Sequence, residues 1–275
     1  MARRFRFRQV FVLRTSGGRS CAAMTDLNWP EGYGRRVLAE VDSTNAEGLR
    51  LASGLAAPTW IFAARQVAGR GRRGRPWSDP AGNFAASLVL KPVEAPGQAA
   101  LRSFVAALAL YDALSALAPG ADLALKWPND VLLDGGKLAG ILLEGAGAGP
   151  RMDHLVIGFG VNLSEAPDRG EAAIAPISLR EGAGVQVEPC ALLSHLAHAY
   201  AIREALFVDA GFAPIRAAWL KRAARLGQDV TARTMREEIR GRFDDVDENG
   251  NLVLITPDGR RAISAADVFF ESEAG

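Results

Sequence analysis

Cysteine is nearly missing from this 275-residue sequence: Cys21 and Cys190 are the only two. Two sulfurs cannot staple a small scaffold or build a cysteine-rich zinc site, and their scarcity fits a reducing compartment. Histidine is as rare, with His154, His195 and His198 too few and too scattered for a persuasive metal cluster. No apolar run exceeds the eight residues Phe104–Tyr111, well short of the ~20 that a membrane helix needs. The expectation is therefore a soluble, cytoplasmic protein with no membrane partner. Lysine is scarce too. Of 32 basic residues only Lys91, Lys126, Lys137 and Lys221 are lysine, so a lysine inside a motif draws notice. Acid is absent from residues 1–24, which carry six arginines, while the rest holds 26 bases against 31 acids. That mildly acidic body argues against general nucleic-acid binding by the folded part.

Residues 1–24 read as a disordered extension, with an upstream start preceding Met24 as the plain explanation. A transit segment or a nucleic-acid-binding arm are the alternatives. The segment is too short and aperiodic for a helix-turn-helix domain. From about residue 33 the pattern is that of a folded domain. A capping box at Thr44-Asn45-Ala46-Glu47 opens a short helix to about Ser53. Thr59–Arg65 and Asn83–Leu90 read as strands, and Gln98–Leu117 as a long buried helix. Leu123–Trp127 and Val131–Leu133 are short strands, with the turn Asp134-Gly135-Gly136 leading into Lys137–Glu144 as a hairpin. His154–Phe159 is another strand, and helices over 189–209 and 213–224 follow, the second entered by Pro214. After Arg225 short β-rich pieces alternate with Asn-Gly and Asp-Gly turns, which predicts a small antiparallel barrel of about five strands docked on the first domain.

Five segments carry chemistry. Gly69-Arg70-Gly71-Arg72-Arg73-Gly74-Arg75-Pro76-Trp77 interleaves glycine with arginine. The glycines keep it out of regular structure and let N–H groups approach an anion, and the guanidinium groups suit phosphate or carboxylate. An anion-binding loop, a nucleic-acid backbone contact and a solvated turn all fit that composition. The flanking strands favour a loop set into a rigid domain. Lys126-Trp127-Pro128-Asn129-Asp130 either presents polar side chains from a turn or is an Asx turn with Trp127 in the core. Lys137 falls among apolar residues, where an ammonium is costly unless it meets an anion or snorkels outward. Gly158-Phe159-Gly160-Val161-Asn162-Leu163 has glycines that admit a close ligand or mark a bulge. Asp42-Ser43-Thr44-Asn45 caps a helix, and its spare hydroxyl and amide groups suit an uncharged polar ligand or a carboxylate. Two near-matches fail. The stretch from Asp245 begins like a calcium loop but has Thr256 where a bidentate carboxylate is needed. Gly135-Gly136-Lys137-Leu138 lacks the upstream glycine and following hydroxyl of a phosphate loop.

In this order, DSTN, QVAGRGRRGRPW, KWPND, GGKLAGILLE and GFGVNL closely resemble the bacterial biotin protein ligases, the biotin–[acetyl-CoA-carboxylase] ligases, over roughly 33–272. The resemblance implies an α+β fold: over 33–224 a mixed or antiparallel sheet with flanking helices, like class II synthetases, and over 225–275 a small SH3-like β-barrel. It is to the monofunctional type, without a preceding winged helix, and so implies ligation with no DNA partner. The implied reaction joins biotin to ATP as biotinyl-5′-AMP and then transfers biotin to a carrier lysine. Substrates are biotin and ATP, with Mg2+ accompanying the nucleotide.

Lys137 and Arg70 resemble the catalytic cations. Ser43, Thr44, Asn45, Gln66, Arg70, Gly71, Arg72 and Lys137 resemble the biotin contacts. Arg72, Arg75, Trp77, Lys126, Asn129, Asp130 and Asn162 resemble the ATP contacts; no metal ligand is certain, Asp130 being a candidate for Mg2+. The glycine loop is expected to act as a lid. The implied partner is the biotin carboxyl carrier of acetyl-CoA carboxylase, together with carriers of other biotin-dependent carboxylases. An edge strand is open to a second subunit, as in a homodimer, or to the carrier. A lipoate or octanoate transferase of the same fold and an arginine–glycine nucleic-acid binder are the rivals. The loop, KWPND and the C-terminal barrel favour biotin over lipoate, and the acidic body disfavours nucleic acid.

Overall fold

The structure is a computed structural model, and it describes residues 29–147, 152–168 and 174–270. The expected extension at 1–24 lies outside the described residues. Seven strands form the main sheet: β1 (Gly34–Leu38), β2 (Thr59–Ala63), β3 (Phe84–Leu90), β4 (Leu123–Lys126), β5 (Asp130–Leu133), β6 (Gly136–Ala146) and β7 (His154–Val161). Their order is β1-β2-β3-β7-β6-β5-β4. Only β1 and β2 are parallel; every other neighbouring pair is antiparallel. β1, too short and arginine-rich to stand out as a strand, adds itself to the edge of β2.

Alternation along the strands explains the two faces of the sheet. Trp60, Phe62, Phe84, Ala86, Leu88, Leu90, Leu155, Ile157, Phe159 and Val161 point to one side and join the main hydrophobic core. That side is covered by α3 (Arg102–Leu117), α5 (Pro189–Ala210) and α6 (Phe212–Leu220). Trp60 packs on Phe159 at 5.4 Å between centroids and meets Tyr200 edge-on at 6.0 Å. The opposite side carries Ser87, Gly158 and Gly160, and one end of it is covered by α1 (Thr44–Leu51).

The helix over 98–117 is split into α2 (Pro96–Ala100) and α3, with Leu101 between them still near helical angles. By length and composition 96–117 would be able to cross a bilayer, yet over half of it is buried inside the protein as a core helix against α5. α4 (Leu179–Ala183) was not anticipated, although its signal is local: the Ser178 side chain accepts from the Glu181 N–H and the Glu181 carboxylate reaches back. The helix expected over 213–224 is α6, which ends at Leu220 and gives way to turns, including Arg225 at φ 63.

The C-terminal strands are β8 (Asp229–Arg233), β9 (Glu238–Val246), β10 (Leu252–Thr256), β11 (Gly259–Ile263) and β12 (Asp267–Phe270). They form an antiparallel sheet in the order β11-β10-β9-β8-β12. Five strands are present as expected, but no ladder joins β11 to β12 among the described residues, so the SH3-like unit is an open sheet rather than a closed barrel. It docks as anticipated. The buried Trp127 indole donates to the Gly250 carbonyl at 3.0 Å, and Gly250 sits so close to Phe104 that a Cβ there would come within 2.9 Å.

Candidate active site

The face of the sheet opposite the main core is organised in three cross-strand rows, the last of them under α1. Ala85 on β3 faces Gly160 on β7, which faces Gly140 on β6. Next come Ser87, Gly158 and Leu142, then Val89, Val156 and Glu144. Both ladders of β7 run without a register shift, so Gly158 and Gly160 are not a bulge; two residues apart, they share one face. Each is bare because a side chain lies on it. A Cβ at Gly158 would be 2.2 Å from the Asn45 amide oxygen, and one at Gly160 would be 2.5 Å from the Trp77 indole.

Around the Gly158 row the side chains form a neutral network. The helix cap is Ser43, one position before the expected Thr44, and its hydroxyl accepts from the Ala46 N–H at 3.4 Å. Because Ser43 serves as cap, Thr44 and Asn45 are free to reach sideways. The Thr44 N–H and hydroxyl donate to the Gln66 Oε1 at 2.9 and 3.2 Å. The buried Ser87 hydroxyl lies 2.8 Å from the Thr44 Oγ1 and 2.5 Å from the Asn45 Oδ1. Asn45 Nδ2 in turn donates to Glu144 at 2.8 Å and to the Leu142 carbonyl at 3.3 Å. Thr44, Asn45, Gln66 and Ser87 are thus linked side chain to side chain, which fixes rotamers and leaves a defined set of edges for a ligand. Asp79 props the row from behind, accepting from the Gln66 N–H at 3.0 Å. Burial pushes its carboxyl up to about 6 despite that bond.

The Gly140–Gly160 row carries charge. Asp130 pairs with Lys137 at 2.7 Å and lies 3.7 Å from the Lys126 ammonium. Burial alone would raise the Asp130 carboxyl, but Lys137 and Lys126 outweigh it and hold it below the usual carboxylate range. Burial draws the Lys126 ammonium down, with Asp130 opposing. Lys137 reaches this face through a bulge. Val131 faces Ala139 but Leu132 faces Lys137, so the register slips by one residue and parity inverts. By simple alternation Lys137 and Gly140 would point to opposite faces; instead a Cβ on Gly140 would lie 3.6 Å from the Lys137 Cε and 3.7 Å from the Asp130 Oδ1. Of the two fates open to Lys137, it meets an anion. Its ammonium also lies 5.9 Å from the Trp77 ring centre.

The glycine loop is ordered into a narrow hairpin. The Gly71 N–H bonds the Arg75 carbonyl at 2.7 Å, the Trp77 N–H bonds the Gly69 carbonyl at 2.9 Å, and Arg72–Gly74 make a 3-10 turn with Arg73 at φ 57. The tight hairpin lays Trp77 on the two-glycine floor. Its arginines diverge. Arg70, exposed, pairs with Glu144 at 3.2 Å, touching the neutral network. Arg72 donates to the Asn129 Oδ1 at 3.4 Å and to the Ala266 carbonyl at 3.2 Å. Arg73 and Arg75 pair with Asp267 at 2.6 and 3.2 Å. Asn129 is buried and its Nδ2 bonds the Ile141 carbonyl. Asn162, also buried, donates to the carbonyls of Lys137 and Ile177, and its Oδ1 has no partner among the described residues.

The expected residues therefore fall into two adjoining groups on one face: Ser43, Thr44, Asn45 and Gln66 with Arg70, and Lys126, Asn129, Asp130, Lys137 and Trp77 with Arg72. Gly71 lies within the hairpin, Arg75 points to the C-terminal sheet, and Asn162 braces the backbone at Lys137. Ser87, Glu144, Asp79 and Asp267 were missed. Ser87 is a single polar residue in the apolar strand FAASLVL, which is a signal; the other three are ordinary acids whose relevance comes only from the fold. Among the described residues no group of three or more His, Cys, Asp or Glu residues is placed to hold a metal. Asp130 would have to release Lys137 before meeting Mg2+.

Residues 34–162 match the biotin/lipoate A/B protein ligase family, and residues 226–271 match the biotin protein ligase C-terminal domain. The chain is 54% identical over 238 residues to a biotin–[acetyl-CoA-carboxylase] ligase of Paracoccus denitrificans, covering 85% of this chain and 99% of that one. It is 31% identical over 213 residues to a bifunctional ligase/repressor of Bacillus subtilis, covering 76% of this chain and 65% of the relative. A biotin protein ligase from Aquifex aeolicus, solved in complex with biotin and ATP, superposes with a TM-score of 0.73 at 26% identity, covering 86% and 97% of the two chains.

Proposed function

This chain belongs to the biotin/lipoate A/B protein ligase family, and from that premise we propose how its residues work. It attaches biotin to the carrier of acetyl-CoA carboxylase at the expense of ATP. Biotin presents an apolar fused ring with one neutral ureido group. The network of Ser43, Thr44, Asn45, Gln66 and Ser87 offers it hydrogen-bonding edges without net charge, over the Gly158 floor. Ordering these side chains in advance lowers the entropy cost of binding.

The acid end of biotin then lies toward the Gly140–Gly160 row. Its carboxylate oxygen attacks the α-phosphorus of ATP, an O–P bond forms, the bond to the β-phosphate oxygen breaks, and pyrophosphate leaves. Two anions must approach, so the step depends on fixed positive charge where their oxygens meet. Lys137 and Arg70 supply that charge, with Lys126 and Arg72 beside the nucleotide's Asn129 contact and Arg75 available to it on leaving Asp267. Asp130 aims Lys137, Trp77 flanks the adenylate, and Asn129 and Asn162 are the nucleotide's neutral contacts. Asp130, once released from Lys137, is the residue that would meet a Mg2+ accompanying ATP, whose charge would offset that of the phosphates. In the second step the carrier lysine's amine attacks the acyl carbon, AMP departs, and an amide remains. The loop acts as a lid that shields the hydrolysable anhydride.

The partner set extends to carriers of other biotin-dependent carboxylases, an edge strand of the main sheet pairs with a second copy or with the carrier, and the setting is cytoplasmic with no DNA bound. The observation that carries this reading is the abutment of an uncharged amide–hydroxyl network and a partly buried lysine–aspartate cluster on one glycine-floored face. Incubation with biotin, ATP, Mg2+ and an isolated carrier domain, read by intact mass, tests it. A gain of one biotin on one lysine is expected, and an unmodified carrier overturns it.

A further inference from the structure

Three of the four loop arginines turn away from the sheet toward one carboxylate on the other domain. Asp267 opens β12, pairs with Arg233 across the strand ladder, and is about three-quarters buried. It receives Arg73 at 2.6 Å and Arg75 at 3.2 Å, and Arg72 lies at 3.8 Å. Next to it, the Ala266 carbonyl takes a further bond from Arg72 at 3.2 Å. Three guanidinium groups around one carboxylate leave an excess of positive charge. The cluster therefore holds the loop and still attracts a polyanion.

We propose that Asp267 is a positioning residue: a clasp from the C-terminal sheet that keeps the glycine loop folded over the site before substrates arrive and leaves its arginines ready for the nucleotide's phosphates. The inference rests on the ligase reading for what the loop closes over, but not for the clasp itself. Asp267 touches no reacting atom. Arg72 is the link, because the guanidinium that bonds Ala266 also reaches Asn129 in the nucleotide half. Without the clasp the loop must be ordered by the substrate, and that ordering cost appears as weaker nucleotide binding rather than slower chemistry.

The test compares the full chain with Asp267→Asn and Asp267→Glu. In the absence of any ligand, trypsin cleavage after Arg70 and Arg72 should rise about fivefold in Asp267→Asn, a modest factor because these pairs are partly exposed. Asp267→Glu should restore protection. Raising the salt should speed cleavage of the unaltered chain and leave Asp267→Asn nearly unchanged. In biotin-dependent pyrophosphate exchange the KM for ATP should rise several-fold with kcat within about twofold. If Asp267→Asn does not fold, Arg73→Gln breaks the 2.6 Å contact from the loop side and should give the same change in cleavage and KM to a smaller degree. Cleavage equal to that of the unaltered chain, or a fall in kcat at constant KM, overturns the clasp. Absence of pyrophosphate exchange in the unaltered chain, with the protection pattern intact, overturns the ligase reading and leaves the clasp standing.

Discussion

The two halves of the site are built on opposite principles. The Gly158 half is a set of amides and hydroxyls that bond one another, with the Glu144 carboxylate at its edge. The Gly140–Gly160 half gathers like charges, Lys126 and Lys137, on a single buried aspartate. A neutral network holds its shape before any ligand arrives and suits recognition of an uncharged ring. A cationic cluster with one counter-ion is unfavourable until anions join it, and so suits charge that develops during reaction. Binding and chemistry are thus separated along one face, with the Arg70–Glu144 pair on the far side of the neutral half from the charged one.

The largest expected effect breaks the charged half alone. Lys137→Ala should reduce biotin-dependent pyrophosphate exchange by about 10²–10³-fold while the KM for biotin moves little. Next, Gly158→Ala drives a Cβ into the Asn45 amide, 2.2 Å from its oxygen. The KM for biotin should rise by at least about tenfold, with the KM for ATP nearly unchanged. Gly160→Ala is the mirror test, since its Cβ would meet Trp77 at 2.5 Å. It should raise the KM for ATP by about tenfold and spare biotin, and intrinsic tryptophan emission would report the displaced indole.

The smallest effect lies behind the neutral half. The Asp79 carboxyl is raised from 3.8 to about 6 by burial, so the folded state holds its proton more tightly than the unfolded chain. Its contribution favours folding below pH ~4 and is lost as pH climbs through about 6. Asp79→Asn should flatten the pH dependence of Tm between pH 4 and 7. After screening by partial exposure, it should gain about 1 kcal/mol at pH 7.

The charged half was far more legible in the sequence than the neutral one. KWPND and GGKLAG are contiguous, and in a lysine-poor chain they announce themselves. What they did not show is how Lys137 reaches the face it works on. A one-residue bulge inverts its parity, and nothing local marks it. The neutral network is assembled from residues 22 to 99 positions apart in sequence. Thr44, Asn45 and Gln66 were identified by resemblance, but Ser87 and Glu144 become visible only when β3, β7 and β6 lie side by side. The glycines were ambiguous as a motif, although their two-residue spacing already placed both on one face. β1 and the splitting of the long helix escaped because short edge elements carry little periodicity. The C-terminal strands were legible from their Asn-Gly and Asp-Gly turns. Whether the sheet closes was not, because closure depends on how the last strand meets the first.

The most direct measurement of the central claim is exchange of labelled pyrophosphate into ATP, run with and without biotin in the absence of any carrier. Exchange that requires biotin, persists in the Gly158→Ala chain at saturating biotin and collapses in Lys137→Ala is the predicted result. Exchange without biotin, or retained at full rate without the Lys137 ammonium, would contradict the division of labour described here.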